Sequence, residues 1–593
     1  MPPVRRQWQL RPHDDQAVRH LAKQADVSPV LAQLLLNRGV NQAAEAKLFL
    51  ASPMSALHPP HLLPGVPAAA ERIAKAAADR VPICVYGDYD VDGTTGTAIL
   101  LALLLKLGAD VRYYVPNRAE EGYGVNAAAV RQLAEDGVKL LVTVDCGICS
   151  VAEAEIAREC GMEMIVTDHH EMKAELPNAA VLVHPRLPGS EYPFGGLSGS
   201  CVAFKLAWAV AQRATHSERV PDEFKEFLQD AMGLAALGLI ADVMPLRDEN
   251  RVFVKYGLKR LVQRPSVGIK ALLLASGLMK TDEDGNVSTT LKAEDVGFKI
   301  GPRINAAGRL ECARMVVDLL TTRNPVSARE AAEFLENLNS KRQTIERNLT
   351  AAAIKMVEEL GYADAPAIVI GQVEWHPGVV GIVAGRLAEH FGRPVLVAAL
   401  KDNDEPSGGS GRSVAGFELH KALAACGSVL ESHGGHAAAA GFRVRPSKLD
   451  ELRELFCAAA KRVFPNGPPS PVLMLDAEVP LGSLNFALLK DLEKLEPYGQ
   501  DNPRPRFLST GLKVEGMPRR IGQGERHLSF RVKQGGATIR AVAWGMGDRL
   551  DDLMSGGGDC CLVFTPKVNE WNGHKSVEIE VTDFQPTAVP RLG

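Results

Sequence analysis

The sequence predicts an α/β protein of several domains, closed by a small all-β domain at its C-terminal end. Three observations carry this reading. Apolar runs at 82–86, 111–115, 139–144, 163–167 and 180–184 alternate with amphipathic segments near 94–107, 125–135 and 149–160. Strands alternating with helices build a parallel sheet with helices on both faces. A second β-α region spans about 365–465 and follows a long helical pattern at 326–360. Beyond the Pro-rich stretch 465–472, segments such as Leu528-Phe530-Val532 and Val577-Ile579-Val581 show the period of two that strands require, which predicts a small β-barrel.

The elements follow in order. Residues 1–80 read as an Ala-rich helical region broken at Pro59-Pro60. The α/β region at 81–325 comes next. In the 326–360 helix, Ser327 and Glu330 have capping-box spacing, and Leu338, Ile345, Leu349, Met356 and Leu360 recur at helical intervals or their sums. The second α/β region occupies 361–465 and the barrel 466–593. A chain of 593 residues exceeds one hydrophobic core, and its length suggests roughly three to five domains.

Composition excludes little but narrows the setting. Apolar residues make up 46% and charged residues 23%, as in ordinary globular proteins. The net charge of −4 carries no overall basic signature, yet a local channel can be basic while the chain is acidic. The ten cysteines are scattered, and Cys146-x-x-Cys149 lacks the second pair a zinc site needs. The opening residues hold no signal-peptide core, and Ala98–Leu105, the most apolar stretch, is too short to span a bilayer. A soluble, reduced, cytoplasmic protein without a membrane partner is expected.

The chemistry concentrates in Val85–Gly93, where Asp88, Asp90 and Asp92 alternate after a predicted strand and before a predicted helix. Carboxylates this close repel one another unless cations neutralise them. The segment opens like an EF-hand loop, but its twelfth position is Ile99 rather than Glu and no helix precedes it. A solvated acidic turn is the plain alternative. Asp145, the Asp168-His169-His170 run and Asp242 each follow a further apolar run. If these runs are strands of an open parallel sheet, their C-terminal ends share the edge where ligands bind. Carboxylates with one or two imidazoles suit Mn²⁺ or Mg²⁺ better than zinc. Asp88, Asp90, Asp92, Asp145, His169 and Asp242 exceed the needs of one ion. Two ions roughly 3.5–4 Å apart would support in-line attack at phosphorus.

The segments Asp88–Gly93, Val144–Gly147, Asp168–His170 and Ala241–Leu246 resemble the four signature motifs of DHH phosphoesterases. Further matches at 116–124, 301–310, 374–387, 410–413, 434–442 and 495–507 make the whole chain similar to the bacterial RecJ nucleases of that superfamily. The resemblance implies a parallel-sheet DHH domain, a long joining helix, a second α/β DHHA1 domain and a C-terminal OB-fold. It implies a two-cation site of Mn²⁺ (or Mg²⁺), with Asp145 bridging. Asp88 and Asp90 would face one ion, and Asp92, His169 and Asp242 the other. Asp145, His169 and His170 would be catalytic, His170 by contact with the scissile phosphate. Relatives often carry His two residues before the first Asp, where this chain has Tyr86.

Arg303, Asn305 and Arg309 lie in a Gly-rich segment, as do Ser410 with Arg412 and Gly434-Gly435-His436. Gly-rich backbone admits phosphate closely and Arg adds bidentate bonds, while loop capping is the plain alternative. With Arg118, the resemblance makes these the nucleic-acid contacts. In the barrel region Arg519, Arg520, Arg526, Arg531, Lys533 and Lys567 are interspersed with Phe530 and Trp571. A solvated charged face explains that pattern alone; the resemblance reads it as a single-strand surface. The activity implied is 5′→3′ hydrolysis of single-stranded DNA to 5′-mononucleotides in repair and recombination. The implied enzyme is a monomer supplied by a helicase and a single-stranded-DNA-binding protein. Two other classes compete: a small-substrate DHH hydrolase, whose relatives lack the N-terminal and OB regions, and a non-enzymatic scaffold, whose relatives have lost the ligands present here.

Overall fold

The computed structural model describes residues 6–117, 121, 124–281, 287–309, 312–555, 557–571 and 573–587. The chain folds as two compact units whose segments interleave in sequence. The larger contains Gln9–Gly301, Ala313–Arg329 and Met474–Gly593; the smaller contains Met1–Trp8, Pro302–Cys312 and Glu330–Leu473.

The N-terminal region, expected to be wholly helical, begins with a strand, β1 (Gln7–Leu10). Its partner lies more than four hundred residues away in sequence, so no local pattern announces it. Helices α1 (Asp15–Ala25) and α2 (Pro29–Leu36) follow. Asp14 caps the first by accepting from the Gln16 and Ala17 amides, and Ser28 with Pro29 starts the second. Their apolar residues, among them Leu21, Leu31 and Leu35, pack into the core of the C-terminal barrel.

The predicted parallel sheet is present. Strands β2 (Ile83–Gly87), β3 (Val111–Tyr114), β4 (Leu140–Val144), β5 (Glu163–Thr167) and β6 (Val181–Val183) run in the order β3-β2-β4-β5-β6, all parallel. Every residue of β2 and β4 is buried, as in a sheet covered on both faces. The covering helices include α3 (Val91–Lys106), α4 (Ala127–Glu135) and α5 (Val151–Glu159). This strand order reverses direction between β2 and β4. That switch point is where open α/β sheets leave a crevice at the strand C-termini.

Further helices of the region include α6 (Gly199–Ala214), α7 (Asp222–Ala241) and α8 (Asp248–Gln263). The apolar run before Asp242, read above as a possible strand, is the last turn of α7. A short apolar run does not distinguish a strand from a buried helix segment, and the 20-residue length of α7 decides it. Lys205 of α6 and Glu249 of α8 form a fully buried ion pair, Nζ to Oε2 at 2.6 Å. Tyr192 donates to the other carboxylate oxygen, and the His58 amide donates to Oε2 at 3.1 Å.

A π-turn at Val296–Ile300 leads into α9 (Gly301–Arg309), most of which packs with the smaller unit. The long helix, α10, spans Pro325–Glu359. It starts before Ser327: Asn324 caps it, its side chain accepting from the Val326 amide at 2.9 Å, and Pro325 takes the first helical position. Proline there loses no hydrogen bond, which outweighs the capping-box pattern. Leu349 enters the core of the smaller unit with Ile345 and Met356 against it, whereas Leu360 lies just past the helix end and is exposed.

The second α/β region is a mixed sheet. Strands β7 (Ile368–Val373), β8 (Val395–Leu400), β9 (Ser407–Arg412), β10 (Leu430–Gly435) and β11 (Ala439–Val444) run in the order β10-β11-β9-β8-β7, with only β7 and β8 parallel. Helix α11 (Pro377–Phe391) packs on it. Strand β12 (Val472–Leu475) then pairs with β1. The predicted barrel comprises β13 (Phe507–Ile521), β14 (His527–Gln534), β15 (Ala537–Ala543), β16 (Asp559–Trp571) and β17 (His574–Pro586). Pairing of β13 with β16 closes it. Phe530 is a core residue there, so it offers no ring to a ligand. The Trp571 side chain lies outside what is described. Among the described residues no helix is long and apolar enough to cross a membrane.

The buried pair yields a stability prediction. Lys205→Met leaves Glu249 without its cation and should destabilise the protein by about 3–5 kcal/mol, read as a lower thermal midpoint. Adding Glu249→Gln should recover part of the loss. An unchanged midpoint in the single variant would show the pair to be dispensable.

Candidate metal centre

The site forms at the switch point. Register sets Gly87 of β2 beside Val144 of β4, so Asp88 and Asp145 leave adjacent strand ends. The Asp88 amide donates to Val144 at 3.2 Å and the Asp145 amide to Thr167 at 3.0 Å. Asp145 has φ +63°, a left-handed conformation that non-glycine residues seldom adopt and that often marks functional positions.

Asp90 caps α3, accepting from the Asp92 and Gly93 amides at 2.8 and 3.0 Å. Asp92 is held from across the site by the start of α6. The Gly199 amide donates to Oδ2 at 2.5 Å, while the Ser200 amide and hydroxyl donate to Oδ1 at 3.1 and 2.5 Å. Two helix N-termini therefore direct their positive ends at this cluster of acids. The packing requires glycine at two places. A Cβ at Gly199 would lie 2.4 Å from Asp145 Oδ1, and one at Gly238 would lie 2.2 Å from Asp92 Oδ1.

His169 Nε2 lies 3.1 Å from Asp145 Oδ1, 3.4 Å from Asp242 Oδ2 and 3.9 Å from Asp92 Oδ2. His170 Nδ1 lies 2.8 Å from Asp168 Oδ1 and 3.8 Å from Asp145 Oδ1. Asp168 is itself anchored by the Ile148 amide at 2.9 Å and the His169 amide at 2.7 Å. Behind the histidines, His184 Nε2 meets the His170 carbonyl at 2.8 Å, and Arg186 donates to the His169 carbonyl at 2.6 Å. Sequence reasoning gives no role to Asp168, His184, Arg186, Gly199, Ser200 or Gly238. Asp168 lies in a signature segment without an assigned role, and the other five act through neighbours that only folding supplies.

Ligand atoms fall into three overlapping groups, each within 4.8 Å: Asp88, Asp90 and Asp145; Asp92, His169 and Asp242; and Asp145, His169 and His170. No cysteine joins any of them among the described residues. Asp145 Oδ1 and His169 Nε2 are buried and lie close together, yet neither makes a hydrogen bond. Buried lone-pair atoms facing one another in this way fit a cation between them, and the oxygen-rich set with one or two imidazoles fits Mn²⁺ or Mg²⁺. Tyr86 takes no part. It is buried, bonded to the Gly124 carbonyl and the Asn126 amide at 3.2 Å each, and stacked on Tyr114.

The electrostatics show the same demand. Burial first, then the Asp92, Asp90, Asp242 and Asp88 charges, raise the Asp145 carboxyl well above its ordinary range. Burial, with Asp92 and Asp90, raises Asp242 to about 8. Burial raises Asp90 as well, Asp92 adding to it. Burial lowers His169 to about 4. Burial also opposes charge on His170, but the Asp168 hydrogen bond and charge outweigh it and lift the imidazole to about 9. Asp168 falls to about 2, since bonds from His170 and the backbone overcome its burial.

Apart from Arg118, the expected nucleic-acid contacts fall within the smaller unit. Arg303 is ion-paired with Glu336, and Arg309 donates to the Gly378 carbonyl at 2.8 Å, at the start of α11. Arg412 bonds Ser410 Oγ at 3.0 Å, and a Cβ at Gly381 of α11 would lie 3.0 Å from that same oxygen. Register places Ser410, Gly441 and Gly434 on one rung of β9, β11 and β10. The His436 amide donates to the Ala439 carbonyl at 2.8 Å. Asn305 sits within α9, and Arg118 lies outside the described residues. On the barrel, Lys567 pairs with Glu580 at 3.1 Å, and Arg531 aligns with Arg540. Trp544, to which the sequence assigns no role, is half-exposed with its ring centroid 4.8 Å from that of His527.

Known families match three parts of this architecture: the DHH family N-terminal domain at 82–239, the DHHA1 domain at 364–462 and the RecJ OB domain at 475–583. The single-stranded-DNA-specific exonuclease RecJ of Bacillus subtilis (strain 168) is 36% identical over 576 residues, covering 97% of this chain and 70% of the relative. RecJ of Escherichia coli (strain K12) is 32% identical, covering 98% of this chain and all of the relative. This chain belongs to the RecJ family. The crystal structure of RecJ with Mn²⁺ from Thermus thermophilus superposes with a TM-score of 0.82 at 34% identity, covering 99% of this chain and 80% of that one. Membership makes it a nuclease of the exonuclease class. The carboxylates and histidines whose loss would mark a scaffold are present and clustered.

The RecJ-family site can be tested through its protons and through its supports. Mn²⁺ binding near pH 7 should release protons, because Asp242, raised to about 8, holds its proton in the metal-free protein. Release should diminish as pH rises past 8, where Asp242 is already ionised. Calorimetry in buffers of differing ionisation enthalpy counts the protons, and zero release at pH 7 would contradict the assignment. Ser200→Ala should weaken Mn²⁺ binding about tenfold by loosening Asp92, whereas an unchanged titration would make the hydroxyl merely structural; this magnitude follows the usual effect of residues that orient metal ligands.

Proposed function

We propose that this chain is a 5′→3′ exonuclease that hydrolyses single-stranded DNA to 5′-mononucleotides with two divalent cations, Mn²⁺ or Mg²⁺, in DNA repair and recombination. The observation that carries the reading is the shared position of Asp145, which belongs to one ligand group with Asp88 and Asp90 and to another with the histidines. A carboxylate common to two groups is what a two-ion centre needs. Relatives from six bacteria are single-stranded-DNA-specific exonucleases, and RecJ from Thermus thermophilus has been crystallised with Mn²⁺ and with Mg²⁺.

In this reading Asp88 and Asp90 hold one ion, Asp92, His169 and Asp242 the other, and Asp145 bridges. When bound, the cations supply nucleophile activation and neutralise charge developing on the phosphate. The chain's own residues do the rest. The start of α6 fixes Asp92 so that its direction does not depend on the cation. Asp168 fixes the ring of His170 and favours its protonated form, which makes the imidazole a charged donor for the scissile phosphate. Arg118, Arg303, Asn305, Arg309, Ser410, Arg412, Gly434, Gly435 and His436 hold the strand, and Arg309 and Arg412 supply guanidinium forks suited to phosphate. The barrel adds affinity by the single-strand mode of OB-folds, which a small-substrate hydrolase would not need. Substrate comes from a helicase and a single-stranded-DNA-binding protein, and the enzyme works as a cytoplasmic monomer.

The test compares 5′- and 3′-labelled single strands, blunt duplexes and circular single strands, each with Mn²⁺. Stepwise 5′-mononucleotides from linear single strands alone are expected. Asp145→Ala should lose several powers of ten in rate while remaining folded. Retention of more than about a hundredth of the activity would refute the bridging role, given what metal catalysis contributes. Efficient cleavage of circles would refute the need for an end.

A further inference from the structure

The larger unit contains a cavity of about 920 Å³ that none of the assigned residues occupies. It begins where the metal centre stops: Ile240 and Ala241, just before Asp242, and Val243 and Met244, just after it, form part of its wall. The opposite parts come from α8, from the π-turn at Val296–Ile300, and from the turn around Tyr498. A volume of this size is that of a ligand site rather than a packing defect.

Two features of the wall are costly unless they are used. Val243 has φ +57° and leaves 63% of its surface exposed. A β-branched residue in the left-handed region costs about 1–3 kcal/mol, and such strain collects at functional positions. Phe298 is 79% exposed at the middle of the π-turn, a rare backbone form that also collects at functional sites. Folding alone gives no reason to hold an aromatic ring and a strained valine open to water beside a metal ligand.

Charge indicates what fits. The lining carries five cations, Lys255, Lys259, Lys292, Lys494 and Arg504, against three carboxylates. Two of those carboxylates are already paired, Glu496 with Lys292 at 2.9 Å and Glu294 with Arg504 at 2.8 Å. Lys494 is also paired, with Asp491 at 2.7 Å, so Lys255 and Lys259 remain as an exposed cationic edge. An apolar interior with a cationic edge suits a chain of flat apolar rings on an anionic backbone.

We propose that this cavity receives unpaired bases of the strand that stays bound beyond the scissile phosphate, with Phe298 stacking on a base and Lys259 near the backbone. The proposal rests on the single-strand reading above and adds to it a subsite in the larger unit. It also accounts for a preference for unpaired substrate, because a base stacked on both faces within a duplex has no face free to lie on Phe298.

The full chain in a chelating buffer, where hydrolysis stops, is titrated against fluorescein-labelled dT12 by anisotropy. Phe298→Ala should weaken binding about tenfold, within the range for loss of one stacked base. Gly297→Trp should weaken it at least as much, because its Cβ direction is open and an indole there fills the cavity. Calorimetric Mn²⁺ binding should stay at the wild-type value in both, which shows that the fold and the metal centre persist. Lys259→Glu, an exposed position, replaces either variant that loses Mn²⁺ binding. Wild-type affinity for dT12 in these variants overturns the cavity proposal and leaves the nuclease reading intact. Failure of the unaltered protein to bind dT12 overturns both.

Discussion

Mutual repulsion among Asp88, Asp90, Asp92, Asp145 and Asp242 is the constraint around which the larger unit is arranged. Each of these side chains is buried or partly buried, and burial together with the neighbouring charges raises the carboxyls of Asp90, Asp145 and Asp242. A fold that brings such groups together needs compensation from positive potential, from hydrogen-bond donors, or from cations. Backbone structure supplies the first two. The N-terminus of α3 is capped by Asp90, and the first amides of α6 with the Ser200 hydroxyl hold Asp92. The remaining negative charge is left for divalent cations, which explains why the same residues form overlapping ligand groups.

Rigidity follows from the same constraint. Strands β2 and β4 are buried throughout, so the strand ends that carry Asp88 and Asp145 cannot separate without opening the core. Gly199 and Gly238 leave no room for a side chain beside Asp145 and Asp92. Asp168, His184 and Arg186 bind the backbone and rings of the two histidines and belong to none of the ligand groups themselves. Metal sites depend on such outer partners for the direction of their ligands. The acid-rich centre also cannot attract a polyanion by itself. In the reading proposed above, cationic side chains elsewhere take that part: the lysines beside the cavity, the arginines around α11 and the basic strands of the barrel.

Much of this was legible in the sequence. The parallel sheet, the long helix, the second α/β region and the barrel follow from periodicity, because burial imposes a period of two on exposed-face strands and about 3.6 on helices. The metal-site residues stood out because alternating carboxylates directly after an apolar run have few structural uses. Three readings failed for identifiable reasons. Asp242 ends a helix because a five-residue apolar run carries no period of its own. The long helix starts at Pro325 because the Asn-Pro pair outranks a capping box three residues on. Strand β1 was missed because its partner is remote in sequence.

Residue types and spacings by themselves determined most of the elements, the candidate ligands and the family resemblance, since each of these is a property of short segments read in order. Tertiary structure alone decided how the ligands group, which of their oxygens are already engaged, and that Ser200, Asp168 and Arg186 stand behind them. It also decided that Tyr86 and Phe530 belong to cores, and that Val243 and Phe298 stand open to solvent at the cavity wall. The physical reason is the range of the interactions. Propensity and amphipathicity act over a few residues, whereas a carboxylate's charge state, a ring's exposure and the space beside a glycine depend on atoms that only the folded chain brings within a few ångströms.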